Sequence, residues 1–177
     1  MNPLNPLALP TDAACALIGP PGSGKSTFAR THFQPTQVVS SDACRALVAD
    51  DERDQSATGD AFEVLHSIAD KRLQRGLLTV IDATNLRSPD RPWLLDRARH
   101  WQRPLVAVLF DVPLAIAQAR NAGRARVVPA DVVSEFHALL PTVDQLHDEG
   151  WDTVRLASTI TPARDCGLRA APKGGTR

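Results

Sequence analysis

Residues 19–26 read Gly-Pro-Pro-Gly-Ser-Gly-Lys-Ser, the pattern G-x-x-x-x-G-K-[ST], and no other stretch constrains the fold as strongly. Glycines at 19, 22 and 24 let the backbone curl so that its N–H groups face inward on an anion. An apolar run, Ala14 to Ile18, reads as a buried strand entering the loop, and Lys25 to His32 reads as the helix leaving it. The helix N-terminus adds partial positive charge at the same point. Gly19, Pro21, Gly22, Ser23, Gly24, Lys25, Ser26 and Thr27 therefore form a cradle for a nucleoside triphosphate. Lys25 reaches the β- and γ-phosphates, and the Ser26 hydroxyl sits on Mg²⁺. ATP and Mg²⁺ are the expected cofactors. The motif alone does not separate a kinase from a GTPase or an ATPase.

The rest of the chain alternates short apolar runs with amphipathic stretches. Strands are expected at 37–40, 77–81, 105–110 and 154–156. Helices are expected at 42–49, 60–75, 114–121 and 130–140, with another opened by Ser88-Pro89 through a serine cap. In the 130–140 helix, Val132, Val133, Phe136, Leu139 and Leu140 are expected on one face. This alternation predicts an α/β fold, a parallel sheet with helices on both faces. A length of 177 residues fits one domain. Residues 1–10 read as an irregular arm, 11–168 as the domain, and 169–177 as a disordered tail.

Ligands of parallel sheets gather at the carboxyl ends of strands. Gly19, the Ser41-Asp42 pair, the Asp82-Ala83-Thr84-Asn85 segment and Asp111 all follow expected strand ends, so they should converge. Asp42 reads either as a helix N-cap or as a general base taking a proton from an acceptor hydroxyl. Arg45, one turn on, reads either as an ion-pair partner of Asp42 or of the acidic loop 50–54, or as a grip on an acceptor phosphate. Asp82 is a candidate for holding Mg²⁺-bound water or Ser26. Thr84 and Asn85 read either as turn residues or as substrate contacts. Arg120, Arg124 and Arg126 cluster between two expected helices. They read as a solvated basic helix end or as a lid, about 118–130, that stabilises charge on a transferring phosphoryl group. Gly123 is a candidate hinge within it.

A glycine loop followed by Ser40-Ser41-Asp42-Ala43-Cys44-Arg45, then Asp82-Ala83-Thr84-Asn85-Leu86, then the arginine segment, resembles the polynucleotide 5′-hydroxyl kinases of nucleic-acid repair, over roughly residues 14–140. The resemblance implies the P-loop kinase fold, a five-stranded parallel sheet in the order 2-3-1-4-5 with an arginine-bearing lid. It also implies Asp42 as general base, Arg45 on the phosphate 3′ of the acceptor nucleotide, and Arg120 and Arg124 on ATP phosphates. The partner so implied is a 5′-hydroxyl end of DNA or RNA.

Other features bound this reading. Formal net charge is zero, which argues against non-specific coating of nucleic acid. Aromatics are only 5% and tyrosine is absent, which weakens a base-stacking platform. Cys15, Cys44 and Cys166 are dispersed, as expected of reduced thiols in a cytoplasmic protein. The five histidines show no metal-ligand spacing. No apolar run is long enough to span a membrane. Two other readings stand beside the polynucleotide kinase: a small-molecule kinase for sugars, antibiotics or nucleotide sugars, and a nucleotide-dependent regulatory module.

Overall fold

The computed structural model describes residues 7, 9–124 and 127–160. Arg126, Cys166, most of the N-terminal arm and the tail lie outside the described residues.

Five strands are formed by residues Ala14–Ile18 (β1), Val38–Ser40 (β2), Thr79–Asp82 (β3), Leu105–Leu109 (β4) and Thr153–Leu156 (β5). All pairings are parallel, in the order β2-β3-β1-β4-β5. Among the described residues seven α-helices accompany them: Lys25–His32 (α1), Ser41–Ala49 (α2), Thr58–Gln74 (α3), Pro92–His100 (α4), Leu114–Ala122 (α5), Ala130–Ala138 (α6) and Val143–Glu149 (α7).

The central strands alternate between two cores. Ala14, Ala16 and Ile18 of β1 face one cluster with Leu65, Leu73, Leu95 and Trp151. Cys15 and Leu17 face the other, with Ala29, Phe33 and Phe110. β4 divides the same way, Leu105, Ala107 and Leu109 against Val106 and Val108. Both faces being covered is why these strands read as unbroken apolar runs. Each fully buried Leu or Val contributes roughly 1.5–3 kcal/mol of transfer free energy. From the arm, Leu7 and Leu9 are buried in the second cluster.

Register sets the site. Leu17 and Ser40 both pair with Asp82, and Ile18 pairs with Leu109. The segments leaving β2, β3, β1 and β4 therefore start at nearly one level.

Several expectations change. Ser88-Pro89 does not open an α-helix. Residues Ser88–Asp90 form a 3₁₀ turn and α4 starts at Pro92. A helix begun at Ser88 would need a donor at position 92 for the Ser88 carbonyl, and proline has none. Ser88 instead donates through Oγ to Glu149. Helix α6 stops at Ala138; Val133 is fully buried on it, while Leu139 is exposed. Helix α7 was not anticipated, although Thr142 and Gln145 form a reciprocal capping box at its start.

Candidate active site

The loop after β1 is shaped by positive φ at Gly22 (80°) and Gly24 (100°). Gly24 also precedes α1 without any side-chain cap, so the first amides of that helix carry no side-chain acceptor. Lys25 is buried and folds back over the loop. Its Nζ donates to Gly19 O at 2.7 Å, Pro20 O at 2.9 Å and Ser23 Oγ at 3.4 Å. Burial lowers its pKa to about 8; Asp82 and Asp42 oppose the shift and Arg124 adds to it.

Asp82 ends β3 and is buried. Burial raises its pKa, the neighbouring Ser26 hydroxyl and the Lys25 charge lower it, and the Asp42 charge raises it. Ser26 and Asp82 together are a hard-oxygen pair suited to Mg²⁺ and its waters. The glycine cradle, its uncapped helix start and this pair fit a magnesium-bound triphosphate.

Asp42 is not the N-cap of α2. Ser40 is, its Oγ accepting from Ala43 N at 3.4 Å. Asp42 lies in the first turn, with its side chain half-exposed. Arg45 is 5% exposed. Its Nη1 donates to Asp42 Oδ1 at 2.7 Å and to Glu52 O at 2.9 Å, while its Nε is buried and unpartnered. Arg45 is thus held beneath the acidic loop as the ion-pair partner of Asp42.

The Thr84 backbone and the Asn85 side chain tie the turn after β3 to the loop after β1. Gly19 N donates to Thr84 O at 3.1 Å. Asn85 is buried at φ 50°, and its Nδ2 donates to Leu17 O at 2.9 Å. The Asn85 amide hydrogens face backbone carbonyls of Leu17, Ile81 and Ala83, which is the turn role that the sequence offered beside a substrate contact.

Arg120 lies in the last turn of α5, its Nη1 3.5 Å from Ser23 O. Gly123, the C-cap of α5, has φ −86°, a conformation open to any residue. Sequence reasoning missed Asn121, which is buried and closes the arginine segment from within. Its Nδ2 donates to Val128 O at 2.7 Å and its Oδ1 accepts from Val128 N at 3.2 Å.

Beside the loop, between α1 and the ends of β4 and β5, opens a cleft of about 710 Å³. Phe28, Phe110, Ile116 and Ile160 give it apolar walls. Phe28 meets Phe110 edge to face at 5.3 Å. Ser23, Gly24 and Arg120 join it to the loop. Asp111 accepts from Ser158 Oγ at 2.6 Å and ties the two strand ends together. An apolar cleft adjoining a phosphate cradle has the shape and chemistry for a nucleoside. Its wall residues carried no local signal because three separate stretches, 23–32, 110–120 and 157–160, supply them. Among the described residues no group of three or more His, Cys, Asp or Glu side chains could hold a metal, and no helix is long and apolar enough to cross a membrane.

Residues 15–142 match the model of the AAA domain family. The fold is similar to that of a candidate kinase from Chloroflexus aurantiacus J-10-fl, with a TM-score of 0.56 and 17% identity over 84% of this chain and 86% of that one. It is also similar to a gluconokinase from Sinorhizobium meliloti 1021, with a TM-score of 0.51 and 14% identity over 84% and 83%. A chain of a Pnkp1/Rnl/Hen1 complex aligns with a TM-score of 0.48 and 25% identity over 65% of this chain and 39% of that one. No curated protein matches the sequence. With its glycine loop, strand order and matched segment taken together, the chain belongs to the AAA domain family and has the fold of the P-loop kinases.

Proposed function

We propose that the chain transfers the γ-phosphoryl group of ATP to a hydroxyl acceptor, and that the acceptor is the 5′-hydroxyl end of DNA or RNA. The observation that carries the transfer is the sheet register, which pairs both Leu17 and Ser40 with Asp82 and so starts the segments bearing Lys25 and Asp42 beside it. In support of this reading, Lys25 and the half-exposed Asp42 carboxylate follow neighbouring strand ends.

In this reading the loop amides and Lys25 hold the β- and γ-phosphates, and the nucleoside lies in the cleft beside Phe28 and Ile116. Mg²⁺ at Ser26, backed by Asp82, supplies charge neutralisation on the phosphates when bound. Asp42 takes the acceptor proton as the acceptor oxygen bonds to the γ-phosphorus. The bond from that phosphorus to the bridging oxygen breaks, and ADP leaves. Arg45 fixes the Asp42 carboxylate through its 2.7 Å bond. Arg120 and Arg124 stabilise charge on the transferring group.

The 5′-hydroxyl acceptor draws its support from the Asp42-x-x-Arg45 and Asp82-Ala83-Thr84-Asn85-Leu86 motifs. A second reading, a small uncharged hydroxyl compound as acceptor, is favoured by the burial of Arg45 beneath Glu52 and by the acidic residues of loop 50–54. The test is transfer of labelled phosphate from ATP to 5′-hydroxyl oligonucleotides and, separately, to a panel of sugars and polyols. Oligonucleotide labelling by wild type, lowered on the order of 10²–10⁴ in Asp42→Asn, supports the first reading. Labelling of polyols alone selects the second. Full rate in Asp42→Asn removes Asp42 as the base.

A further inference from the structure

Arg91 is buried at 4% exposure at the start of α4, and no step of the transfer uses it. Its guanidinium is occupied on two sides. Nε donates to Glu149 Oε2 at 2.7 Å, and Nη2 makes a short contact with Glu149 Oε1. Nη1 donates to Asn85 O at 2.8 Å and Leu86 O at 2.9 Å. One planar fork thus joins the end of α7 to the turn that follows β3.

That turn leads straight to the phosphate loop. Asn85 Nδ2 holds Leu17 O, and Thr84 O accepts from Gly19 N, the first amide of the loop. Asp82 stands at the root of the turn, paired in the sheet with Leu17, two residues before Gly19. A shift of the turn would therefore move the Asp82 carboxylate and the Gly19 amide together, and both belong to the phosphate and metal side of the site. Glu149 is itself fixed. Trp151 Nε1 and Ser88 Oγ donate to its carboxylate at 3.3 and 3.4 Å, and its backbone carbonyl accepts from Arg99 Nη2 at 3.1 Å.

We infer that Arg91 and Glu149 are positioning residues for nucleotide binding, setting the phosphate loop and Asp82 through the 82–86 turn. The inference rests on the nucleotide-binding reading of that loop. Lysine cannot replace Arg91, because a single ammonium cannot span a carboxylate and two carbonyls on opposite sides. Burial alone would raise the Glu149 pKa; the bond and charge from Arg91, with Trp151 and Ser88, reverse this and hold it below the ordinary range. Glu149 is accordingly ionised at neutral pH.

The experiment uses the full chain with Arg91→Lys, Glu149→Gln and a control, Arg103→Lys. The control breaks a part-buried contact set of Arg103 with Asp12 and Leu73, away from the turn. Thermal midpoints are measured first, and titration with a fluorescent ATP analogue and Mg²⁺ follows well below the lowest midpoint. Arg91→Lys and Glu149→Gln should each weaken nucleotide binding about tenfold to a hundredfold. Arg103→Lys should lose stability while keeping wild-type affinity. Wild-type affinity in folded Arg91→Lys and Glu149→Gln overturns the positioning role. If Arg91→Lys does not fold, the Glu149→Gln titration decides alone. Failure of wild type to bind the analogue sinks the nucleotide reading itself, a result distinct from an unperturbed variant.

Discussion

A Cβ placed on Gly22 would stand 2.2 Å from the carbonyl oxygen of Ala117. The phosphate loop therefore lies directly on the backbone of α5, the helix that carries Arg120 in its last turn. Loop and arginine segment meet as one packed unit, so the placement of Arg120 beside Ser23 follows from backbone contact and not from a charge pair.

Gly22→Ala should accordingly abolish measurable nucleotide binding. The new methyl group meets main chain, which cannot swing aside, and φ of 80° adds roughly 1–2 kcal/mol of strain. Titration with a fluorescent nucleotide and a thermal melt check both effects. Near-native binding would show that the loop has room to move off α5.

Asn85 combines φ of 50° with a buried side-chain amide that holds Leu17. Asn85→Ala should lose the bond and gain backbone strain. Asn85→Gly should lose only the bond. Both should be destabilised by about 1–3 kcal/mol, with the alanine variant lower by about 1 kcal/mol. Denaturant unfolding of the two variants tests the ordering.

The cleft and the loop should be separable. Ile116 lines the cleft and is 44% exposed, so it can be changed without opening the core. Ile116→Asn should weaken ATP binding severalfold and leave inorganic tripolyphosphate binding unchanged. Equal losses for both ligands would mean that the nucleoside lies elsewhere.

His32 and His66 are both held below their ordinary pKa of 6.5 by burial. The unfolded chain then binds more protons than the folded one in the range just below 6.5. Stability should fall as pH drops through 6.5 and level off below the folded values. Melting midpoints between pH 7.5 and 5 measure this. In His32→Phe the slope should flatten. A stability rising on acidification in this window would contradict the burial of both rings.

The glycine loop, the five strands and the sheet's parallel character were legible because each rests on a local signal. Strands covered on both faces are written as continuous apolar runs, as in 105–110, and a G-x-x-x-x-G-K-[ST] loop between strand and helix has few other uses. Helix α7 was missed although Thr142 and Gln145 advertised its start; at seven residues it offered little periodicity to read. The helix at Ser88 was misjudged because its obstacle, Pro92, lies four positions away.

The sequence by itself determined the phosphate cradle, the alternation that builds the sheet, and which chemically able residues follow strand ends. Only tertiary structure decided which of them stay exposed and which are buried against other segments. Asp42 stays half-exposed because Ser40 takes the capping position. Arg45 is buried because the acidic loop folds back onto it, and Asn85 turns inward to hold Leu17, 68 positions away. Arg91 finds Glu149 58 positions downstream. Motif spacing records which side chains are available. Their partners are set by the packing of distant segments, where a buried polar group must take whatever acceptor the fold brings within reach.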